Sequence, residues 1–170
     1  AGSVFQEFGE MHVISPFGVP ASWPRIIGLD PGLQGFAAVL EARSPDGSRY
    51  FAREYLGANI DLGGNVRAIQ ALTADAPIDA WPIDPAAAGR DIRTKLTLLH
   101  ELRTIYGLPV VQANNAVDVG LSRMKAGFAS ARDPKAPGLR VFASCPGLIA
   151  DLRSTTWEQV RKGHKPHRLD

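Results

Sequence analysis

A short hydrophobic run that ends on an acidic residue and a Pro-Gly pair constrains the fold of this chain more than any other feature. The run Arg25-Ile26-Ile27-Gly28-Leu29 has the composition of a buried strand and ends directly at Asp30-Pro31-Gly32. A second apolar stretch follows, so we predict adjacent antiparallel strands at 25–30 and 35–42 with a turn at Pro-Gly. A carboxylate at the end of a sheet is costly to bury unless a positive group lies against it, and a divalent metal ion is the natural candidate.

The rest of the sequence predicts a third strand followed by alternating helices and strands. The predicted elements, from the third strand onward, are 49–56, 66–73, 80–84, 92–106, 110–113, 117–128, 139–143 and 147–153. Three antiparallel strands joined to alternating units imply a mixed sheet with helices on both faces. The predicted fold class is therefore α/β, a ribonuclease H-like mixed sheet in which an antiparallel β-meander is joined by parallel strands.

The first 24 residues are predicted to lie outside this domain. Ala1-Gly2-Ser3 has the composition of a cloning remnant, and prolines interrupt a stretch of little periodicity up to residue 24. We predict a tag remnant and interdomain linker at 1–24 and the folded domain at 25–170. No apolar run reaches the roughly 20 residues that a membrane helix needs, so no membrane partner is predicted. The single Cys145 excludes an internal disulfide and is predicted to be a buried structural thiol.

Three acidic residues far apart in the sequence are candidates for one metal site. Asp30 ends the first strand, Asp84 ends the strand at 80–84, and Asp170 would come from the start of a helix that packs back across the sheet. Two divalent ions held by carboxylates about 4 Å apart can activate water and stabilise the leaving oxygen of a phosphodiester. Mg²⁺ suits this role because it takes hard oxygen ligands. His167, three residues before Asp170, is a further candidate ligand or orienting group.

Each of these residues also has a purely structural interpretation. Asp30 is a favoured residue at the start of a β-turn, Asp84 could cap a helix that begins at Pro85, and His167 could simply be exposed. The metal hypothesis therefore depends on the combination of acidic residues. Glu54, inside the third strand, is the one other acidic residue considered as an extra ligand. The sequence has no G-x-x-x-x-G-K-[ST] loop, which excludes ATP hydrolysis by that route.

Basic residues cluster directly before Asp170. The formal net charge of the chain is only +2, which is too small to indicate a tight nucleic-acid binder by bulk charge. The run at 161–168 lies beside a candidate metal ligand and therefore favours phosphate contact, with the predicted DNA-binding residues Arg161, Lys162, Lys165 and Arg168. A second, looser basic group is equally consistent with solvated surface charge; it comprises Arg123, Lys125, Arg132, Lys135 and Arg140.

Four segments resemble, in order and spacing, the nuclease domain of the large terminase subunit of tailed bacteriophages. Segment 23–32 is similar to its opening strand and 80–87 to its second acidic motif, while 107–115, followed by 119–121, is similar to the next strand and helix. His167-Arg168-Leu169-Asp170 resembles its His-x-x-Asp third motif. The similarity covers 23–170. Pro166 departs from the pattern, since relatives often have an acidic residue there, and relatives continue past Asp170 into a further helix.

The resemblance implies a metal-dependent endonuclease domain that cuts double-stranded DNA during phage genome packaging, in the cytoplasm of an infected bacterial host. It implies two divalent ions, Mg²⁺ or Mn²⁺, of which Asp30 would bridge both while Asp84 and Asp170 would each hold one. It also implies an ATPase motor domain of the same polypeptide, which this sequence lacks, so the chain resembles an excised nuclease domain. The small terminase subunit and the portal protein are the further partners implied.

Three other hypotheses compete with this one. A RuvC-type Holliday-junction resolvase shares the fold and a Gly-x-Asp-Pro-Gly start, but a Glu is expected in its second motif where this chain has Asp84. The actin and sugar-kinase fold would need a second glycine-rich phosphate loop, which is not found in the sequence. A non-catalytic DNA-docking module is the alternative from a different class, and it should bind no divalent metal.

Overall fold

The computed structural model describes residues 2–32, 35–85, 97–114 and 117–161 of the chain. Its strands are β1 (Val13–Ile14), β2 (Arg25–Gly32), β3 (Gly35–Arg43), β4 (Arg49–Gly57), β5 (Pro82–Ile83), β6 (Val111–Gln112) and β7 (Leu139–Phe142). Its helices are α1 (Leu62–Leu72), α2 (Leu98–Thr104), α3 (Val117–Ser130), α4 (Pro146–Ser154) and α5 (Trp157–Arg161), with a 3₁₀ helix at Glu10–His12. These strands form one sheet in the order β1-β7-β4-β3-β2-β5-β6.

The predicted mixed sheet is confirmed. Strands β2, β3 and β4 pair antiparallel as a meander, and β5, β6 and β7 extend it by parallel pairing. Side chains alternate between the two faces of a strand. Accordingly, Phe36 and Ala38 of β3 lie in one buried cluster with side chains of α1 and α2, while Val39 lies in a second cluster with side chains of α3 and α4. Helices therefore cover both faces.

Strand β2 is longer than the sequence predicted, because it continues through Pro31 and Gly32 rather than turning there. Proline cannot donate a ladder hydrogen bond, so its place in a strand needs an unpaired position. Ile27 N–H and the Leu29 carbonyl both bond towards the β5 side of β2. Pro31 follows two residues later on that side, beyond the last residue of β5. The missing N–H therefore costs no hydrogen bond.

The segment predicted as tag and linker lies against the domain along much of its length. Val4 and Phe5 are buried among side chains of the second cluster, and β1 pairs in parallel with β7. His12 is also buried: its Nε2 lies 2.6 Å from the Phe128 carbonyl oxygen, and its Nδ1 accepts from Gly9 N–H at 3.0 Å. These contacts could not be predicted because short apolar pairs carry no periodicity. The role of 1–24 as a linker, and the boundary at 25, stay predictions.

A buried arginine joins the start of β2 to the segment after α1. The Arg25 side chain is fully buried, and its guanidinium bonds Asp75 at 3.0 Å and the Val19 carbonyl oxygen at 2.9 Å. Asp75 also bonds Arg53. Those hydrogen bonds, from Arg53 first and Arg25 second, lower the pKa of Asp75 well below its usual range. A buried guanidinium needs such partners because its desolvation is otherwise unfavourable.

The remaining differences from the predicted elements have local causes. Helix α1 begins four residues earlier than predicted, since the Asp61 side chain accepts from Gly64 N–H at 2.8 Å and caps it. The helix predicted at 92–106 is described only from residue 97, where Thr97 caps α2; residues 86–96 lie outside the described part.

Cys145 is buried, as predicted. Among the described residues, no helix has the length and apolar character needed to cross a bilayer.

Candidate metal site at the ends of β2 and β5

Asp30 and Asp84 lie side by side on neighbouring parallel strands. Leu29 pairs with Ile83 in the register of β2 and β5, and Asp84 N–H donates to the Leu29 carbonyl oxygen at 3.0 Å. The two acidic residues each follow this pair by one position, so their backbones are separated by about the 4.8 Å spacing of adjacent strands. The structure thus brings together two of the three predicted metal ligands.

Both carboxylates belong to the same face of the sheet. Leu29 and Ile83 are buried in one cluster, on the face that carries α1 and α2. Successive side chains alternate, so Asp30 and Asp84 belong to the opposite face, and both residues are partly buried. Ala37, the register partner of Asp30 on β3, lines a cavity of about 410 Å³ on this face. The cavity is lined by residues of β3, β4 and α4, so it begins one strand away from Asp30.

Glu54 borders the same cavity but already has a structural role. Its two carboxylate oxygens accept from Gly147 N–H at 2.8 Å and from Leu148 N–H at 2.7 Å, at the start of α4. The first N–H groups of a helix lack partners within the helix, and the helix dipole favours a negative charge there. Cys145, which precedes α4, makes no side-chain cap. Glu54 thus caps α4 from β4, and its role as an extra metal ligand stays a prediction.

Replacement of Glu54 by Gln should therefore lower stability without changing metal dependence. The amide has a single acceptor oxygen and no charge, so one cap bond and the favourable dipole interaction are lost, at a cost of about 1 kcal/mol. Thermal unfolding would measure this loss. The metal concentration that gives half-maximal DNA cleavage should equal that of the unchanged protein. A markedly higher metal requirement would instead assign Glu54 to the metal site.

Burial dominates the chemistry of Cys145. Desolvation first, and then the negative charge of Glu54, raise the pKa of the thiol to about 12. The thiol is therefore protonated at neutral pH and is a poor nucleophile. It lies in the cluster beneath α4, where it acts as a small apolar side chain.

The third acidic motif lies outside the described residues, which end at Arg161. Asp170 and His167 fall there, as do Lys162, Lys165 and Arg168, so the predicted third ligand and most of the predicted DNA-binding tail stay predictions. Arg161 itself is the exposed last residue of α5. Within the described ranges, no three His, Cys, Asp or Glu side chains are placed to hold one metal ion.

Asp151 is an acidic residue that the sequence analysis did not select. It lies on α4 and lines the cavity beside Glu54. Its neighbour Leu152 is buried, as the helical pattern predicts, but that pattern does not reveal that Asp151 borders an open space on the sheet. Asp151 could have been identified only from the way α4 packs on β4, which the sequence does not show.

The sheet order, the antiparallel meander extended by parallel strands and the helices on both faces define a ribonuclease H-like fold. The sequence itself matches no family model, and it matches no curated protein sequence significantly. Solved structures, however, are similar over most of this chain, and they are large terminases of bacteriophages.

Three of these structures illustrate the likeness. A large terminase from a thermophilic bacteriophage superimposes with a TM-score of 0.75 at 16% identity, over 99% of this chain and 40% of that protein. The nuclease domain of the P22 large terminase gives a TM-score of 0.66 at 20% identity, over 90% of this chain and 78% of that domain. The large terminase nuclease domain of bacteriophage SPP1, a structure with bound Mn, gives a TM-score of 0.56 at 11% identity, over 88% of this chain and 79% of that domain.

These comparisons confirm the predicted resemblance at the level of the fold. This chain spans about two fifths of the large terminase from the thermophilic phage, and it spans most of each nuclease domain. The fold is therefore that of the large terminase nuclease domains.

Proposed function

We propose that this chain is a metal-dependent endonuclease domain that cuts double-stranded DNA during phage genome packaging. One observation carries the proposal: two acidic residues predicted from the sequence, Asp30 in β2 and Asp84 directly after β5, follow a pair of register partners by one position on the same face of the sheet. Carboxylates carried at adjacent positions of two neighbouring strands are placed to share a divalent cation, which takes oxygen ligands. The fold is shared with nuclease domains, one of which holds Mn.

The available donors fit a hard divalent cation. Asp30 and Asp84 offer only carboxylate oxygens, which Mg²⁺ and Mn²⁺ prefer, and no sulfur or imidazole ligand of the described residues stands with them. We assign Asp170 as the third ligand and His167 as a further candidate beside it. When bound, two such ions would supply a water of lowered pKa and compensate the charge on the leaving oxygen.

The residues of the chain then have separate tasks. Asp30 and Asp84, fixed by the ladder between β2 and β5, hold negative charge at a defined point of the sheet end. The glycine at position 32 allows β2 and β3 to approach closely beside them, because a Cβ there would lie 3.3 Å from the Gly35 carbonyl oxygen. The basic tail, Arg161 with Lys162, Lys165 and Arg168, would lie along the DNA backbone and position the phosphodiester.

The partners follow from the same proposal. Double-stranded DNA is the substrate, and an ATPase motor domain of the same polypeptide would deliver it. The small terminase subunit and the portal protein would complete the packaging assembly, in the cytoplasm of the infected bacterium. Each of these belongs to the whole packaging protein, of which this chain would form the cutting domain.

Metal removal tests the proposal by two readouts. A ligand at one hundred times its dissociation constant stabilises the folded state by about 2.7 kcal/mol, which corresponds to a rise of roughly 5–10 °C in Tm for a domain of this size. We expect Mn²⁺ to raise Tm in this range and a chelator to reverse the rise. Supercoiled plasmid should be cut with Mn²⁺ or Mg²⁺ and left intact with the chelator.

The same experiment separates the alternatives. A DNA-docking module would bind plasmid but show neither cutting nor a metal-dependent Tm. A RuvC-type resolvase would cut a four-way junction and spare linear duplex DNA of the same sequence. Cutting of ordinary duplex DNA, lost on chelation, is the outcome that the proposed function requires.

A further inference from the structure

A second charged site lies at the other end of the sheet. A cavity of about 390 Å³ opens between α3 and the ends of β2, β3 and β4 that are remote from Asp30. We call it the basic cavity, because three arginines and one glutamate line it together with apolar atoms: Arg43, Arg49, Arg123 and Glu41. Two positive charges therefore remain after Glu41 is paired. Its volume falls within the roughly 300–1,000 Å³ of small-molecule sites.

The arginine in the middle is held in a fixed orientation. Arg49 Nη1 bonds the buried Glu41 carboxylate at 3.1 Å, and Arg49 Nη2 donates to the Arg123 carbonyl oxygen at 3.2 Å. Gly127 of α3 makes this position possible, since a Cβ there would lie 2.9 Å from Arg49 Nη2. A guanidinium that is fixed in this way is preorganised and loses little entropy when it binds an anion.

Among the described residues, the other two arginines lack the ion pair that Arg49 has. Arg43 and Arg49 are directly opposite each other on β3 and β4, and like charges in that arrangement are unfavourable. Glu41 neutralises only Arg49. In the part of the chain that the structure describes, the side chains of Arg43 and Arg123 are exposed and form no hydrogen bond or ion pair. An exposed guanidinium of this kind gains the most favourable electrostatic energy when an anion binds beside it.

We propose that the basic cavity binds a phosphate of the DNA backbone, at a distance from the cutting site. This inference rests on the proposed function for the identity of the ligand. Ile26 lines the cavity and lies four residues before Asp30, on the same face of β2, which corresponds to about 13 Å along the strand. Contact with a phosphate here would orient the duplex relative to the carboxylates without reading its sequence.

Salt-dependent DNA binding tests the inference in the intact chain, with chelator present so that no cutting occurs. The double variant Arg43→Gln, Arg123→Gln should bind a short labelled duplex more weakly. The slope of log K against log salt should fall in magnitude by about 1, because the loss of one phosphate contact contributes about 0.9. A matched control removes two exposed charges that do not line the cavity, Lys135→Gln and Arg153→Gln, and should keep the slope of the unchanged protein.

Two results would overturn the inference. An equal fall in both double variants would mean that general surface charge, not the cavity, holds the DNA. Saturable binding of inorganic phosphate that is lost in the arginine variant, with an unchanged DNA slope, would assign the cavity to a free anion. If the double variant fails to fold, Arg123→Gln alone is tested, and the slope should fall in the same direction by up to about 1. Because binding is measured without cutting, failure of the nuclease proposal would leave this result interpretable.

Discussion

Replacement of Asp30 by Asn should abolish DNA cleavage while leaving the fold intact. The amide has the same shape but no charge, so a metal ion would lose an anionic ligand at the point where β2 and β5 meet. Loss of an outer-sphere partner alone typically costs 10–100-fold in metal affinity or activity, and we expect more than about a hundredfold here. Plasmid digestion with Mn²⁺, followed over time, would measure the effect.

Stability provides the second readout for this variant. The Tm of Asp30→Asn measured without metal is the reference for this comparison. With Mn²⁺, the variant should lack the Tm rise expected for the unchanged protein. Asp133→Asn is the matched control: Asp133 accepts from Lys135 N–H in a turn near the start of β7, and an Asn oxygen can keep that bond. Retained cutting by Asp30→Asn would refute the assignment of the site.

Replacement of Phe5 by Ala should destabilise the domain by about 3–5 kcal/mol, the usual cost of deleting a buried aromatic side chain. Phe5 is 2% exposed and meets Phe128 of α3 edge to face, with ring centroids 6.3 Å apart. For a domain of this length the loss corresponds to a fall in Tm of between about 6 and 20 °C. The effect is large because typical domain stability is only about 5–15 kcal/mol.

Phe17 is the matched control in the same amino-terminal segment. It is 40% exposed and meets Trp23, Tyr50 and Phe142 through edge-to-face contacts. Because 40% of Phe17 is already exposed, Phe17→Ala leaves less of a cavity and should cost less than the roughly 3–5 kcal/mol expected for Phe5→Ala. Equal and small effects of both changes would show that residues 2–24 form a detachable linker. A large effect of Phe5→Ala alone would make the segment part of the folded unit.

The elements that could be predicted from the sequence are those with long, regular patterns. Strands β2 to β4 were predicted within one to two residues, and α3 within two, because apolar residues recur there at the spacing of a strand or helix over eight or more positions. Strand β1 and the early start of α1 were missed. The first is a two-residue strand that depends on β7, and the second depends on a single cap at Asp61.

The candidate site likewise contains residues that could be predicted from the sequence and residues that could not. Asp30 and Asp84 could be selected because each follows an apolar run that the sequence predicts to be a strand. The role of Glu54 could not be predicted, since its partners are backbone N–H groups more than ninety residues further along the chain. The basic cavity could not be predicted from the sequence either. Arg123 was noted in a loose basic group, while Arg43 and Arg49 were not.

The local sequence determines the order of strands and helices and the positions of Asp30 and Asp84. Periodicity and turn residues indicate which segments are extended or helical and where they stop. Which charges meet depends instead on the packing of the whole domain. Strand register places Asp84 beside Asp30, helix docking uses Glu54 as a cap, and the approach of α3 to β4 collects three arginines around one glutamate. Electrostatic energy depends on distance through space, and distance along the chain does not specify it.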